Sequence, residues 1–217
     1  MPIERVLEPE VMDDPDEAAE YDAMDHAAVN AAFVGDLLSG GPVSGLVVDA
    51  GAGTGLIAVE LAQRSEATVL AVDAADAMLS LAVRHTAGGG LAGRVIPMRG
   101  NVRELPLPDG VADAVICNTV LHHLPRPELA LAEFTRVLRP GGRLFVRDLV
   151  RPDTQAEVDR LVALHTVGCT PAARRMFAES LPAGLTIAEV TAMLRVLGIR
   201  ETPVMTSDRH WTLDAVI

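Results

Sequence analysis

Gly51, Gly53 and Gly55 fall at alternate positions of the stretch Val47-Val48-Asp49-Ala50-Gly51-Ala52-Gly53-Thr54-Gly55, and Asp73 follows 18 residues after Gly55. Glycines at this spacing let the backbone turn tightly and approach a ligand closely. A carboxylate at the distance of Asp73 suits acceptance of two ribose hydroxyls. The G-x-G-x-x-G fingerprint that cradles a pyrophosphate needs glycine at position 56, where this chain has Leu56. A ribose hook without a pyrophosphate loop points to an adenosine cofactor that carries no phosphate. The glycine loop by itself also reads as an ordinary strand-to-helix turn, so the elements around it decide its use.

Those elements alternate from residue 45 onward. Residues 45–49, 68–73, 94–99, 112–118 and 143–150 are short Val/Ile/Leu-rich runs that read as strands, with Pro97 placing the third at an edge or irregular position. Residues 56–64, 75–86 and 128–138 carry helical periodicity between them. Near-continuous apolar strands alternating with helices predict a parallel sheet covered on both faces, and right-handed crossovers make it a doubly wound α/β domain. After residue 152 helices are expected at 154–168, 171–181 and 186–197, followed by strands at 201–205 and 210–217 joined around Ser207-Asp208. The fold class is therefore α/β, with a mostly parallel seven-stranded sheet, a C-terminal antiparallel hairpin and helical cap insertions. In a sheet of this kind ligands bind at the carboxyl ends of the strands, beside the topological switch point, which is where the glycine loop falls.

The loop, Asp73, Gly100-Asn101-Val102, Asn118-Thr119-Val120-Leu121-His122-His123-Leu124 and Val137-Leu138-Arg139-Pro140-Gly141-Gly142 occur in one order. In that order they resemble class I S-adenosylmethionine-dependent methyltransferases, and the last two resemble the small-molecule enzymes of the ubiquinone/menaquinone-biosynthesis type. The resemblance covers residues 45–150 and, weakly, the closing hairpin. It implies one domain over residues 1–217: an acidic helical lid (1–40), a cofactor-binding core (45–150), a helical cap (151–198) and a closing hairpin (199–217). It also implies S-adenosyl-L-methionine as cofactor and in-line methyl transfer to a small-molecule acceptor.

Carried over position by position, the resemblance assigns the loop Gly51-Ala52-Gly53 to the methionine portion, with Asp49 buttressing it and reaching the ammonium through water. Asp73 would take both ribose hydroxyls, and Ala74 and Met78 would pack on the adenine. Asn101 stands where relatives usually have Asp, so its amide oxygen would accept from the adenine amino group without a charge, while the Val102 N–H donates to the ring. Asn118 and Thr119 would lie under the sulfonium, and Tyr21 near the methyl donor. Methyl transfer needs alignment and desolvation, plus a base where the acceptor carries a proton at neutral pH. His122 and Asp148 are the candidates for catalysis; the His122-His123 pair either touches the acceptor or positions its loop. Arg147 and Asp148 project to opposite faces of their strand, so that at least one lines the pocket or the two form an ordinary surface ion pair. His26, Arg147 and Arg174 join His122 as candidate acceptor-lining residues, and Trp211 reads as core.

Composition narrows the alternatives. All 18 basic residues are Arg; a chain with no Lys forms no lysine Schiff base and no phosphate-cradling G-x-x-x-x-G-K-[ST] loop. Adjacent histidines are poor partners on one ion, so no metal is expected at His122-His123. Cys117 and Cys169 lie 52 residues apart, which argues against a disulfide framework. The net charge is −12, of which residues 1–36 hold −10 with Arg5 as their one basic residue. That sign argues against nucleic acid and anionic membrane as partners. An acidic N-terminus and the absence of a long apolar run lead us to expect a cytoplasmic protein, of open oligomeric state. The competing readings are a catalytically silent S-adenosylmethionine-binding module, suggested by Asn101, and a nicotinamide oxidoreductase, disfavoured by Leu56.

Overall fold

A computed structural model describes residues 3–8 and 13–217. Seven strands form one sheet: β1 (Ser44–Ala50), β2 (Glu66–Asp73), β3 (Val95–Arg99), β4 (Ala112–Asn118), β5 (Leu138–Leu149), β6 (Val204–Met205) and β7 (His210–Val216), in the order β3-β2-β1-β4-β5-β7-β6. The five strands β1–β5 pair in parallel, and β7 inserts antiparallel between β5 and β6. This is the expected class. Pro97 lies on the edge strand β3, where its missing N–H is tolerated.

Among the described residues eight α-helices accompany the sheet: α1 (Pro15–Asp22), α2 (Ala27–Ser39), α3 (Leu56–Arg64), α4 (Asp76–Gly88), α5 (Pro127–Val137), α6 (Gln155–His165), α7 (Pro171–Ala183) and α8 (Ile187–Val196). Alternate strand residues feed two cores. Val48, Val115, Cys117, Leu144, Val146 and Trp211 pack with Leu131 and Phe134 of α5 and Leu194 of α8. Val47, Val69, Ile116 and Phe145 pack on the other face with Phe33 and Leu37 of α2 and Leu61 of α3. Because both faces are covered, the strands read as continuous apolar runs. Trp211 is fully buried, as expected of core, and its indole N–H donates to the Leu149 carbonyl at 3.2 Å.

Three details depart from the sequence reading. The acidic stretch breaks between Asp22 and Ala27, giving two helices, and α2 belongs to the sheet's own packing rather than to a cover. Its Phe33, Val34 and Leu37 are buried, which a purely solvated lid would not permit. The strand expected over 201–205 is ordered only at Val204–Met205. β5 begins earlier than expected, at Leu138, because the Pro-Gly-Gly corner joins its ladder with a register shift. Residues 3–8 cross the molecule instead of trailing from it. Arg5 donates from Nε to the Ala183 carbonyl at 2.8 Å and from Nη2 to the carbonyls of His122 and Leu124 at 3.0 and 3.1 Å.

Candidate functional site

The sheet reverses its winding between β1 and β4, and the two loops that leave these strands touch there. Gly51, Gly53 and Gly55 all adopt left-handed φ, of 77°, 53° and 76°. At Gly51 a Cβ would lie 2.4 Å from Cγ2 of Val120, on the turn after β4, so glycine is required for the two loops to close on each other. At Gly53 a Cβ would meet nothing within 4 Å, which leaves open space against the backbone. The loop is fastened to its neighbour strand by the N–H groups of Gly51 and Ala52, which donate to the Val72 carbonyl at 2.8 and 2.9 Å.

Two carboxylates flank this loop. Asp73, half-buried at the end of β2, accepts from the N–H of Gly53 at 2.8 Å and of Ala75 at 2.9 Å, one bond to each oxygen. Each oxygen keeps a lone pair for a further donor. Burial pushes its carboxyl above the ordinary value, against those backbone bonds. Asp49 is 2% exposed and its Oδ2 has no hydrogen-bond partner. Burial, reinforced by the charge on Asp73, pushes the Asp49 carboxyl up to about 7. A buried acceptor without a partner is costly in a folded chain and calls for a donor or cation from outside it.

Over Asp73 lies a small apolar cluster: Met78 and Leu81 of α4 pack with Ala75, Ala18 and the half-buried Tyr21 of α1. The Tyr21 ring stacks on His26 at 4.6 Å, and Nε2 of His26 lies 2.9 Å from the Tyr21 carbonyl. Burial and the nearby Asp73 raise the Tyr21 phenol above its usual value. Ala74 and Val102 adjoin the same strand ends, Ala74 half-buried and Val102 buried. Asn101 is exposed, and its amide oxygen already accepts from the backbone N–H of Arg103 at 2.9 Å. The side chain thus closes a local turn at the strand end. Asn118 and Thr119 lie half-buried at the end of β4; Thr119 has φ 55° and donates its N–H to the Arg147 carbonyl.

The two candidates for catalysis, His122 and Asp148, lie against each other. Asp148 is fully buried; its Oδ2 accepts from the N–H groups of Val120 and Leu121 at 3.0 and 2.6 Å, and its Oδ1 lies 2.6 Å from Nδ1 of His122. His122 is 2% exposed, and its Nε2 lies 3.2 Å from Oε1 of Glu8. Burial works against the charged ring, yet Asp148 and Glu8 lift His122 to about 9. With both nitrogens facing carboxylates, His122 offers no free lone pair to an acceptor proton, and Asp148 shapes the turn after β4.

Arg147 points to the opposite face from Asp148, as strand alternation requires, but away from the glycine loop. It pairs with Asp36 of α2 at 2.6 Å, donates to Thr212 at 2.9 Å and lies 5.5 Å from the Phe33 ring centre. There it lines a cleft of about 490 Å³ with Ser39, Thr202 and Thr206. Arg147 is thus engaged with α2 and β7. Arg174 is exposed on α7. Glu8 is the residue that sequence reasoning missed; the only hint was Arg5, a lone cation in an acidic stretch, whose contacts hold residues 3–8 in place.

Residues 48–146 match a family model described as a methyltransferase domain. The chain is 34% identical over 163 residues to the ubiquinone/menaquinone biosynthesis C-methyltransferase of Methylobacterium nodulans, covering 71% of this chain and 64% of that protein. It is 37% identical over 109 residues to the demethylmenaquinone methyltransferase of Lactiplantibacillus plantarum, covering 49% and 46% of the two chains. The chain thus spans from about half to just under two thirds of the length of these relatives. Among solved structures, a SAM-dependent methyltransferase from Aquifex aeolicus superposes with a TM-score of 0.70 at 21% identity, over 94% of this chain and 98% of that one. At that identity the likeness speaks for the fold. No helix among the described residues is long and apolar enough to cross a membrane.

Proposed function

We propose that this chain, whose residues 48–146 match a methyltransferase-domain model, transfers a methyl group from S-adenosyl-L-methionine to a small-molecule acceptor. The observation that carries this reading is Asp49: a buried carboxylate oxygen without a partner, behind a left-handed glycine loop and one strand from Asp73. A cationic ligand with a ribose answers both groups, whereas a dinucleotide would bring a pyrophosphate against the Asp49 charge.

When bound, the cofactor supplies an electrophilic methyl on a sulfonium whose leaving group is a neutral thioether. The chain's part is to bind, orient and exclude water. The backbone at Gly51-Ala52-Gly53 would hold the methionine portion, with Asp49 compensating its ammonium. Asp73 keeps one lone pair per oxygen for the two ribose hydroxyls. Ala74, Met78 and Val102 would flank the adenine. Asn118 and Thr119 form the floor, held in place through the Asp148 turn, and Tyr21 with His26 forms the wall from which an acceptor would approach. Because His122 is occupied, this reading uses no base from that turn; alignment carries the transfer. The names of the relatives, C-methyltransferases of quinone biosynthesis, support an acceptor activated by its own chemistry.

Calorimetry with the cofactor and its demethylated product, followed by radiolabelled methyl transfer to a metabolite extract, tests the proposal. We expect both ligands to bind, label to enter a small molecule, and Asp73→Ala to weaken binding at least about a hundredfold, through loss of two hydrogen bonds to a charged acceptor. Tight NADH binding without S-adenosylmethionine binding overturns it. Binding without turnover would favour a silent module, the reading suggested by Asn101 where relatives usually have Asp.

A further inference from the structure

Three segments far apart in sequence meet at one point beside the turn after β4. The Glu8 Oε1 atom lies 3.2 Å from Nε2 of His122 and 3.1 Å from Nδ1 of His123. The two imidazoles, expected to diverge as neighbours in sequence, instead lie 4.1 Å apart between ring centres, at 34°. The 3-10 turn over Leu121–His123 and its anchor on Asp148 bring both rings to one side. All three donor atoms lie within 4.8 Å of one another. Neither Glu8 Oε1 nor His123 Nδ1, both buried atoms, has a hydrogen bond of acceptable geometry.

The geometry points to a divalent transition-metal site made by Glu8 Oε1, His122 Nε2 and His123 Nδ1. Ligand atoms about 2.0–2.1 Å from a tetrahedral zinc lie about 3.3 Å apart, and atoms at right angles about 2.9 Å. The carboxylate-to-imidazole distances of 3.1 and 3.2 Å fall between these limits. Two imidazoles with one carboxylate select zinc, cobalt or nickel over magnesium and calcium, which take oxygen ligands.

The supporting groups are also in place. Asp148 accepts at Nδ1 of His122 and fixes the ring, so a metal would displace the proton that Nε2 directs at Glu8 and take that nitrogen as ligand. Ser180 of α7 donates to Oε2 of Glu8 at 3.1 Å, which turns the other oxygen toward the imidazoles. Three protein ligands leave a position for water, reached from the side of His123, whose side chain is 31% exposed. A metal here pins residues 3–8 and α7 to the turn beneath the proposed sulfonium position.

The test uses tag-free, full-length chain stripped with a chelator and free of S-adenosylmethionine, so its outcome is independent of the methyltransferase reading. Calorimetric titration with Zn²⁺ is expected to show one equivalent, a raised melting temperature and no comparable effect of Mg²⁺. His123→Ala and Glu8→Gln should each weaken Zn²⁺ binding at least about tenfold, and Ser180→Ala about tenfold through the lost orientation of Glu8. His85→Ala and His165→Ala, which remove imidazoles paired with Asp22 and Asp208 elsewhere, should leave it unchanged. Co²⁺ should give visible ligand-field absorption in the parent chain and lose it in His123→Ala. Absence of a stoichiometric Zn²⁺ site, equal affinity for Mg²⁺, or Zn²⁺ binding that survives Glu8→Gln combined with His123→Ala overturns the proposal.

Discussion

Asp49 is held at odds with its charge. In the unfolded chain it titrates near the ordinary 3.8, and in the folded chain burial and Asp73 move it to about 7. Between those values the unfolded chain has released its proton while the folded chain retains it, so stability is full below about 4 and falls as pH rises toward 7. At about 1.4 kcal/mol per pKa unit, the ionised form costs roughly 4 kcal/mol at pH 8. Asp49→Asn should flatten that slope and stabilise the ligand-free protein by a similar amount, read by urea denaturation at about pH 5 and pH 8. A cation bound beside Asp49 reverses the balance. S-adenosylmethionine affinity should therefore weaken as pH falls below about 7, with proton release on binding visible in calorimetry in two buffers. Binding without proton exchange in that window would take Asp49 out of the site. Its position after a strand and before the glycines was legible in the sequence; its missing partner was not, because a partner is a matter of what the fold brings near.

The glycine loop and the turn after β4 work as one element, and their two inner glycines separate stability from binding. Gly51→Ala adds a Cβ that collides with Val120 and keeps a φ of 77°. We expect it to lose roughly 2–4 kcal/mol of stability, from backbone strain together with overpacking. Gly53→Ala meets no neighbour, so the left-handed backbone alone costs about 1–2 kcal/mol. Its Cβ enters the space proposed for the methionine portion, so cofactor affinity should fall more than about tenfold. Paired thermal denaturation and calorimetry check both, and unchanged binding by Gly53→Ala would place the cofactor elsewhere. The three glycines could be read as a close approach from sequence. Which glycine serves the loop contact and which serves the ligand depends on Val120, 69 residues away from Gly51. The same limit applies to His122 and Asp148. Their residue types suggested acid–base work, but a separation of 26 positions conceals that Asp148 spends its lone pairs on the turn and on His122.

Across the whole molecule, the charge of −10 over residues 1–36 is partly consumed by structure. Asp14 caps α1, Asp13 accepts from the Ala77 N–H, Asp22 pairs with His85 and Asp36 with Arg147. The remaining field still surrounds the edge of the site near Met78 and Asp73, because α1 packs on α4. The association rate of cationic S-adenosylmethionine should fall several-fold between about 0.05 and 0.5 M salt, as the screening length drops below about 10 Å. The demethylated product, which lacks the sulfonium, should respond less in the same stopped-flow measurement. An equal response of the two, or none, removes the acidic segment from cofactor capture. Periodicity and glycine placement in the sequence determined the sheet, its winding, the closing hairpin and the strand ends at which a phosphate-free adenosine cofactor would sit. These are local signals, carried by neighbours a few residues apart. Only the tertiary structure decided which face Arg147 and Asp148 each serve, that α2 is core, and that Glu8 reaches the two histidines. Those facts depend on contacts between segments from 26 to 115 residues apart, which no local pattern records.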